Sequence, residues 1–452
     1  MLMVMVAALV IAGCLLAYRD WRCGIAAAIL VGLILDPLRK LMPGTPVFLT
    51  MASMPIWLMA AAVALADRHQ RLKCFHNNFP QLARWTRAFA LYLVIPAALS
   101  LTYGTHSWRI TLLGALVYAA TFLMIVAGWA LPERRHALVA LLAFYCLCGA
   151  VLLIGGPLEY MGWGERWKAV GTAVLGNVWV THRTGGAVYM LSGFFRGPDV
   201  MGWHAVMVFM FSVIMAMRSR GRMRWFWIAV GIWGVLSLWL CGRRKMLSMI
   251  PVFLGTYLLL IFRFQSARRF ASMLGVVLLL LGIGWHIADA VFRKDPVGGF
   301  YMTVLDEWDE QIARHGVYSV IGTVQQAGFW GYGLGMSQQG VHNIQAEKPR
   351  LWQESGPSKL VAELGVPGSV LFLVLGFVYL RTAYEVVRKN ARTGNVYLFG
   401  GLFSILMANL ASAVVSAQIY GDPFVALFLA MLAGALLSGG NPAAAENGQE
   451  PA

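Results

Sequence analysis

Arginines at two points of this chain have the chemistry to hold a phosphorylated group. Arg196 stands in Ser192-Gly193-Phe194-Phe195-Arg196-Gly197-Pro198-Asp199, directly ahead of an apolar segment. Arg243 and Arg244 stand with Lys245 in Cys241-Gly242-Arg243-Arg244-Lys245, between two very apolar segments. A guanidinium meets phosphate oxygens through paired N–H donors and stays charged, so this set suits a diphosphate. Plainer readings compete: Arg196 pairs with Asp199, and the basic triplet snorkels to lipid phosphates. His204, about one turn into the segment that follows Arg196, either lines the same cavity or satisfies a local polar contact.

A long polar stretch, 293–358, interrupts the apolar sequence and is rich in Gly, Trp, Gln, Glu and His. Near its end Glu354 is followed by Lys359 and Glu363. A carboxylate at the entrance of a membrane segment can take the proton of a sugar hydroxyl as general base. The plainer role for Glu354 is to complement the positive end of a helix, and for Glu363 the structural role is favoured. Trp330, Tyr332 and Trp352 offer faces on which sugar rings stack, or form an interfacial aromatic belt. Gly331-Tyr332-Gly333-Leu334-Gly335 lacks the strand–turn–helix setting of a dinucleotide fingerprint. It reads as a turn that lets backbone approach a ligand closely. The acids Asp306, Glu307, Asp309 and Glu310 have no histidine nearby and read as a solvated helix. No G-x-x-x-x-G-K-[ST] loop and no D-x-D pair occurs, so ATP-driven transport and a metal-held nucleotide sugar have no support.

The elements that must position these residues are membrane helices. Of 452 residues, 59% are hydrophobic and 12% charged, against about 25% charged in an ordinary soluble domain. A helix of about 20 apolar residues crosses a bilayer. Candidate spans run over 2–18, 23–41, 46–66, 87–103, 109–131, 137–156, 200–217, 225–241, 246–262, 270–292, 359–380, 396–418 and 423–438. The chain therefore reads as an all-α polytopic membrane protein of about 12–13 transmembrane helices. The weakest span is 23–41, which Asp36-Pro37 and Arg39-Lys40 interrupt; it is open to reading as a half-span or re-entrant segment.

The loops near 19–22, 67–87, 132–136, 218–224, 263–269 and 381–395, with the tail, hold 20 of the 36 Lys and Arg but a minority of the Asp and Glu. That side is the cytoplasmic one, and the loops 157–199 and 293–358 then lie outside. The net charge of +16 reports this orientation and not nucleic-acid binding. The organisation is 1–292 as helices carrying the 157–199 loop, 293–358 as the long external loop, 359–438 as the last helices, and 439–452 as a disordered acidic tail. The six cysteines include no C-x-x-C pair and none in the long loop, which argues against a disulfide framework. The apolar run 2–18 has no basic n-region or cleavage site and reads as a retained span.

Together these pieces resemble the O-antigen ligase and polymerase superfamily of bacterial cell-envelope glycan assembly. The resemblance covers roughly 190–370. It rests on Arg196 before a span, Arg243 and Arg244 at the outer end of a later one, a long external loop ending in a G-x-G turn (Gly333, Gly335), and the A-E-L-G-x-x-G start of a helix (Ala362 to Gly368). It implies a GT-C-like fold and an enzyme of the bacterial inner membrane with its active site on the periplasmic side. Such an enzyme takes glycan from an undecaprenyl diphosphate carrier, needs no metal or other cofactor, and holds the diphosphate on its arginines. Ligases of the group carry a histidine about nine residues before the A-E-L-G glutamate; here that position is Glu354. His342-Asn343 has the ligase-like pair but lies further upstream, and only a loop insertion would realign it.

The expected function is thus a polysaccharide polymerase, with Glu354 as base, Arg196, Arg243 and Arg244 on the diphosphate, and Lys359, Trp352, Tyr332 and His204 as substrate-binding candidates. Its partners would be a lipid-linked acceptor repeat and a chain-length regulator. An O-antigen ligase acting on lipid A core, with His342 catalytic, is the nearest alternative. A lipid-linked glycan transporter is the alternative from another class, weakened because deep ionisable residues are few; His286 and Asp289 are the main ones.

Overall fold

The computed structural model describes residues 1–66, 70–131, 135–175, 180–183, 186–265, 270–271, 274–279, 282–283, 286, 313–338, 355–391, 395–416 and 419–440. Among them are 12 helices long and apolar enough to cross a membrane. The chain is a predominantly helical, multi-pass membrane protein, and the thirteenth expected span, 270–292, falls mostly outside the described residues. The strands among the described residues form a short antiparallel ribbon, β1 (Val180–Arg183) and β2 (Gly186–Tyr189), in the register Val180 to Tyr189. The chain divides into two compact units. Unit 1 is Met1–Ile56, Arg134–Glu307 and Asn390–Ser412; unit 2 is Trp57–Glu133, Trp308–Lys389 and Ala413–Ala452.

Unit 1 begins with a hairpin of α1 (Leu2–Arg19) and α2 (Trp21–Lys40). One residue makes the turn. Asp20 is extended, donates its N–H to Leu16 O at 2.9 Å, and accepts the Arg22 N–H on its carboxylate at 2.9 Å. An aspartate there satisfies an otherwise unpaired amide and complements the helix dipole. The segment left open as a half-span is a full helix. Pro37 is accommodated in its last turns, and Asp36, Arg39 and Lys40 end it as buried residues.

The chain returns to unit 1 after α3 (Met54–Ala66), α4 (Gln70–Asn78), α5 (Pro80–Tyr92), α6 (Val94–Ser100) and α7 (Ser107–Ala130). It contributes α8 (Arg135–Leu152), α9 (Gly155–Tyr160), α10 (Pro198–Arg218), α11 (Gly221–Cys241), α12 (Arg244–Leu247) and α13 (Met249–Phe264). α10 is the core of the unit: it is apolar on every side and 94% of its span is buried, as a helix with no polar face must be. Its one indole donor at Trp203 is satisfied by Asn409 Oδ1 at 2.8 Å.

Unit 2 holds most of α3, together with α4 to α7, α14 (Ser319–Ala327), nearly all of α15 (Gly356–Ala391), and α17 (Pro423–Leu437); α16 (Val396–Val415) belongs mainly to unit 1. α7 and α17 touch backbone to backbone. A Cβ on Gly128 would stand 2.1 Å from Met431 O, and one on Gly434 would stand 1.9 Å from Ile125 O. With no hydrophobic force between helices in lipid, such close approach through small residues supplies the packing energy. Gly128→Val should therefore lower stability by roughly 3 kcal/mol or more. Gly376→Ala, where a Cβ meets nothing within 4 Å, should be neutral or stabilising. Thermal unfolding of the detergent-solubilised protein measures both, and equal melting temperatures for the two variants would refute this packing account.

Candidate functional site

In unit 1 the described structure gathers cations and carboxylates around the segment that leads into α10. Arg196 is held by Asp36 of α2: Oδ2 accepts its backbone N–H at 3.1 Å, and Oδ1 lies 3.5 Å from its guanidinium Nη1. Arg243 pairs through Nη2 with Asp199 Oδ2 at 3.0 Å. The basic triplet thus has an internal counter-charge, an aspartate in the first turn of α10. Gly242 makes the corner by ending α11 in a left-handed conformation (φ 68°), and Arg243 then caps the four-residue α12 that begins with Arg244.

The segment ahead of Arg196 is clamped from two sides. Glu159 accepts the N–H groups of Ser192 at 2.7 Å and Gly193 at 2.6 Å. The Gly193 carbonyl in turn accepts from Lys40 Nζ at 2.9 Å and from the Gly171 N–H at 2.8 Å. Only glycine fits at 193: φ is +54°, and a Cβ would stand 2.7 Å from the backbone of both Gly155 and Gly156. Arg39 donates to Thr45 O at 3.1 Å and lies within electrostatic range of both Asp36 and Arg196. Four cationic side chains (Arg39, Lys40, Arg196, Arg243) thus share this part of unit 1 with Asp36, Glu159 and Asp199, and Arg244 and Lys245 follow Arg243 in α12. The paired guanidiniums keep 18% and 19% of their side-chain surface exposed, so they are oriented without being sealed off.

His204 belongs to the floor beneath this segment. It is buried, stacks on Phe195 at 4.7 Å, and has Nδ1 2.8 Å from the Tyr145 hydroxyl. Of its two sequence-based roles, the structure supplies the local polar contact.

In unit 2 the A-E-L-G stretch is a helix break. α15 is two helices joined at Gly365, whose φ of 69° and ψ of −178° interrupt the hydrogen-bond ladder. The second part, 366–391, is roughly 39 Å long at 1.5 Å per residue, enough to cross the bilayer core by itself. Three of the groups at the break find partners on other segments. Ala362 O accepts the Tyr332 N–H at 2.7 Å, Leu364 O accepts the Tyr92 hydroxyl at 2.7 Å, and the Val366 N–H donates to Phe329 O at 2.8 Å. Inside a membrane such a break is tolerated only when neighbouring protein satisfies the backbone in this way.

The glycine turn was expected to approach a ligand; its approach is to protein backbone. A Cβ on Gly331 would stand 2.7 Å from Val361 O, one on Gly333 2.6 Å from Pro96 O, and one on Gly335 2.2 Å from Ile110 O. All three glycines have positive φ. The turn is a strap threaded against α6, α7 and α15. Tyr332 joins the apolar cluster of Ile110 and Met336, with its hydroxyl donating to Gln326 O at 2.7 Å.

The strap carries Ser337 and Gln338 to Glu363. That carboxylate is fully buried and accepts from the Tyr118 hydroxyl (3.0 Å), the Ser337 N–H (3.1 Å) and Gln338 Nε2 (3.3 Å), while Gln338 Oε1 accepts from Lys359 Nζ at 3.4 Å. Lys359 thus stands one turn from Glu363, bridged to it by an amide. Ser355 caps the start of α15 by accepting the Ser358 N–H at 3.3 Å, and Ser358 also meets Ser319 Oγ at 2.6 Å. Glu354, His342 and Trp352 lie outside the described residues. No group of three or more His, Cys, Asp or Glu suited to a metal ion occurs among the described residues.

Of the residues in these two clusters, the sequence had marked Arg196, Arg243, Arg244 and Lys359 as candidates, but not Asp36, Arg39, Lys40, Glu159, Tyr118 or Gln338. The signal for the first three was present, as charges inside a candidate span, where ionisable residues are functional by default. No family model matches this chain, and no curated protein matches it.

Every group that faces Glu363 in these contacts is a donor, so Glu363→Gln would set an amide N–H₂ against donors. The expected cost is about 1–3 kcal/mol, read as a lower melting temperature in detergent, with Glu363→Ala at least as unstable. Wild-type melting of Glu363→Gln would remove the structural role.

Proposed function

We propose that this chain is a polysaccharide polymerase that uses a glycan carried on undecaprenyl diphosphate. The observation that carries the proposal is the arginine-rich cluster of unit 1, where guanidiniums are braced by carboxylates yet remain partly exposed. Cations held in place in advance suit a leaving group whose charge grows during reaction, because no reorganisation is needed when the bond breaks. Arg196, Arg243 and Arg244 would meet the diphosphate oxygens. The asymmetry of basic loops supports an external location for this end of the helices. The long polar stretch and Glu354 enter on sequence grounds and on the resemblance described above.

The reaction is a substitution at the anomeric carbon. An acceptor hydroxyl on a second lipid-linked repeat attacks that carbon, its proton passes to the Glu354 carboxylate, and the bond from the anomeric carbon to the diphosphate oxygen breaks with the electron pair leaving on the carrier. The step needs no redox partner.

Arg244→Ala and Glu354→Gln should each reduce long-chain polymer by about a hundredfold or more, the scale of a lost general base or charge stabiliser. The measurement is the lipid-linked and exported glycan profile of cells in which the variant is shown to be inserted and folded. Normal chain lengths in either variant would sink the role assigned to that residue. His342→Ala separates the polymerase from the ligase. Loss of glycan transfer to lipid A core in that variant, with Glu354→Gln tolerated, would replace the polymerase by the ligase.

A further inference from the structure

The charges at the end of α2, which interrupt the candidate span 23–41 in sequence, reach Arg196. Arg196 immediately precedes Gly197, the cap residue of α10, so its own N–H has no place in the helical ladder. Asp36 takes that N–H at 3.1 Å with one oxygen and faces the guanidinium at 3.5 Å with the other. Backbone and side-chain ends of the same arginine are thus tied to one buried carboxylate. Asp36 also lies within electrostatic range of Arg39 and Lys40, which places a negative charge among three cations. Four residues along α2, Lys40 joins Glu159 in fixing Gly193, so the same helix end holds the approach to Arg196 as well as Arg196 itself. A carboxylate kept in this environment is costly unless it is paired and hydrogen-bonded.

We propose that Asp36 is the positioning residue of Arg196, setting the direction in which that guanidinium meets an anionic lipid headgroup. The inference rests on the diphosphate-binding role given to the unit 1 cluster. It makes a prediction opposite in sign to simple electrostatics. Removing a carboxylate from a cationic cluster raises the positive potential and, by charge alone, tightens anion binding. Loss of orientation weakens it.

The test is binding of undecaprenyl diphosphate to the full-length protein in detergent micelles, with undecaprenol as the control for the lipid tail. Asp36→Asn should bind the diphosphate about tenfold more weakly, with undecaprenol binding unchanged, and the loss should vanish in an Arg196→Ala background, as coupling between contacting residues requires. Unchanged or tighter binding in Asp36→Asn overturns the proposal, and so does an equal loss in the Arg196→Ala background. If Asp36→Asn does not fold, Asp36→Glu decides. It keeps the charge but shifts the carboxylate by a methylene, so at least about threefold weaker binding is expected, and wild-type affinity overturns the positioning role. Arg196→Ala at wild-type affinity would instead remove the diphosphate reading on which the inference stands.

Discussion

A charge or an unpaired backbone group inside a membrane-embedded helix has no water to turn to, and the two polar regions of this protein are arranged around that constraint. In unit 1 it concerns side chains. Asp36 answers Arg196, Asp199 answers Arg243, and Lys40 is spent on a backbone carbonyl. None of these groups is isolated. The same pairing that makes the charges tolerable also orients them, which under the proposed function suits arginines that receive a diphosphate.

In unit 2 the constraint concerns backbone. Gly365 breaks α15, and the freed groups near the break are claimed by Tyr92, Phe329 and Tyr332. Three glycines of positive φ let the strap 331–335 lie against the backbone of α6, α7 and α15 at distances a side chain would forbid. The strap also brings Ser337 and Gln338 to Glu363. The A-E-L-G glutamate is thereby the polar anchor of a broken helix, and Lys359 is the cation that the anchor holds through Gln338. The glycine spacing and the A-E-L-G motif, two separate features of the sequence, are two sides of one interface.

The proposed diphosphate-binding role draws on braced guanidiniums and a clamped approach segment. The base, Glu354, has its residue type, its place ahead of a helix, and the resemblance to envelope glycan enzymes. Asp36 links α2 to the segment before α10, since one carboxylate meets both the backbone N–H and the guanidinium of Arg196.

Apolar runs of about 20 residues left little freedom, because only a helix satisfies its own backbone in lipid; hence the spans were legible from composition, and Arg196 and Arg243 stood out as charges at their ends. The partner of each charge was not legible. Asp36 and Arg196 lie 160 residues apart, and Tyr118 and Glu363 are 245 apart. Nothing local in either stretch names the other. Asp199, three residues after Arg196 in sequence, pairs with Arg243 from the far end of another helix. The sequence by itself determined that this is a many-helix membrane protein with cations at particular helix ends. Tertiary structure alone decided which carboxylates hold them and what the glycines touch, because those contacts are set by helices packing side by side, far apart in the chain.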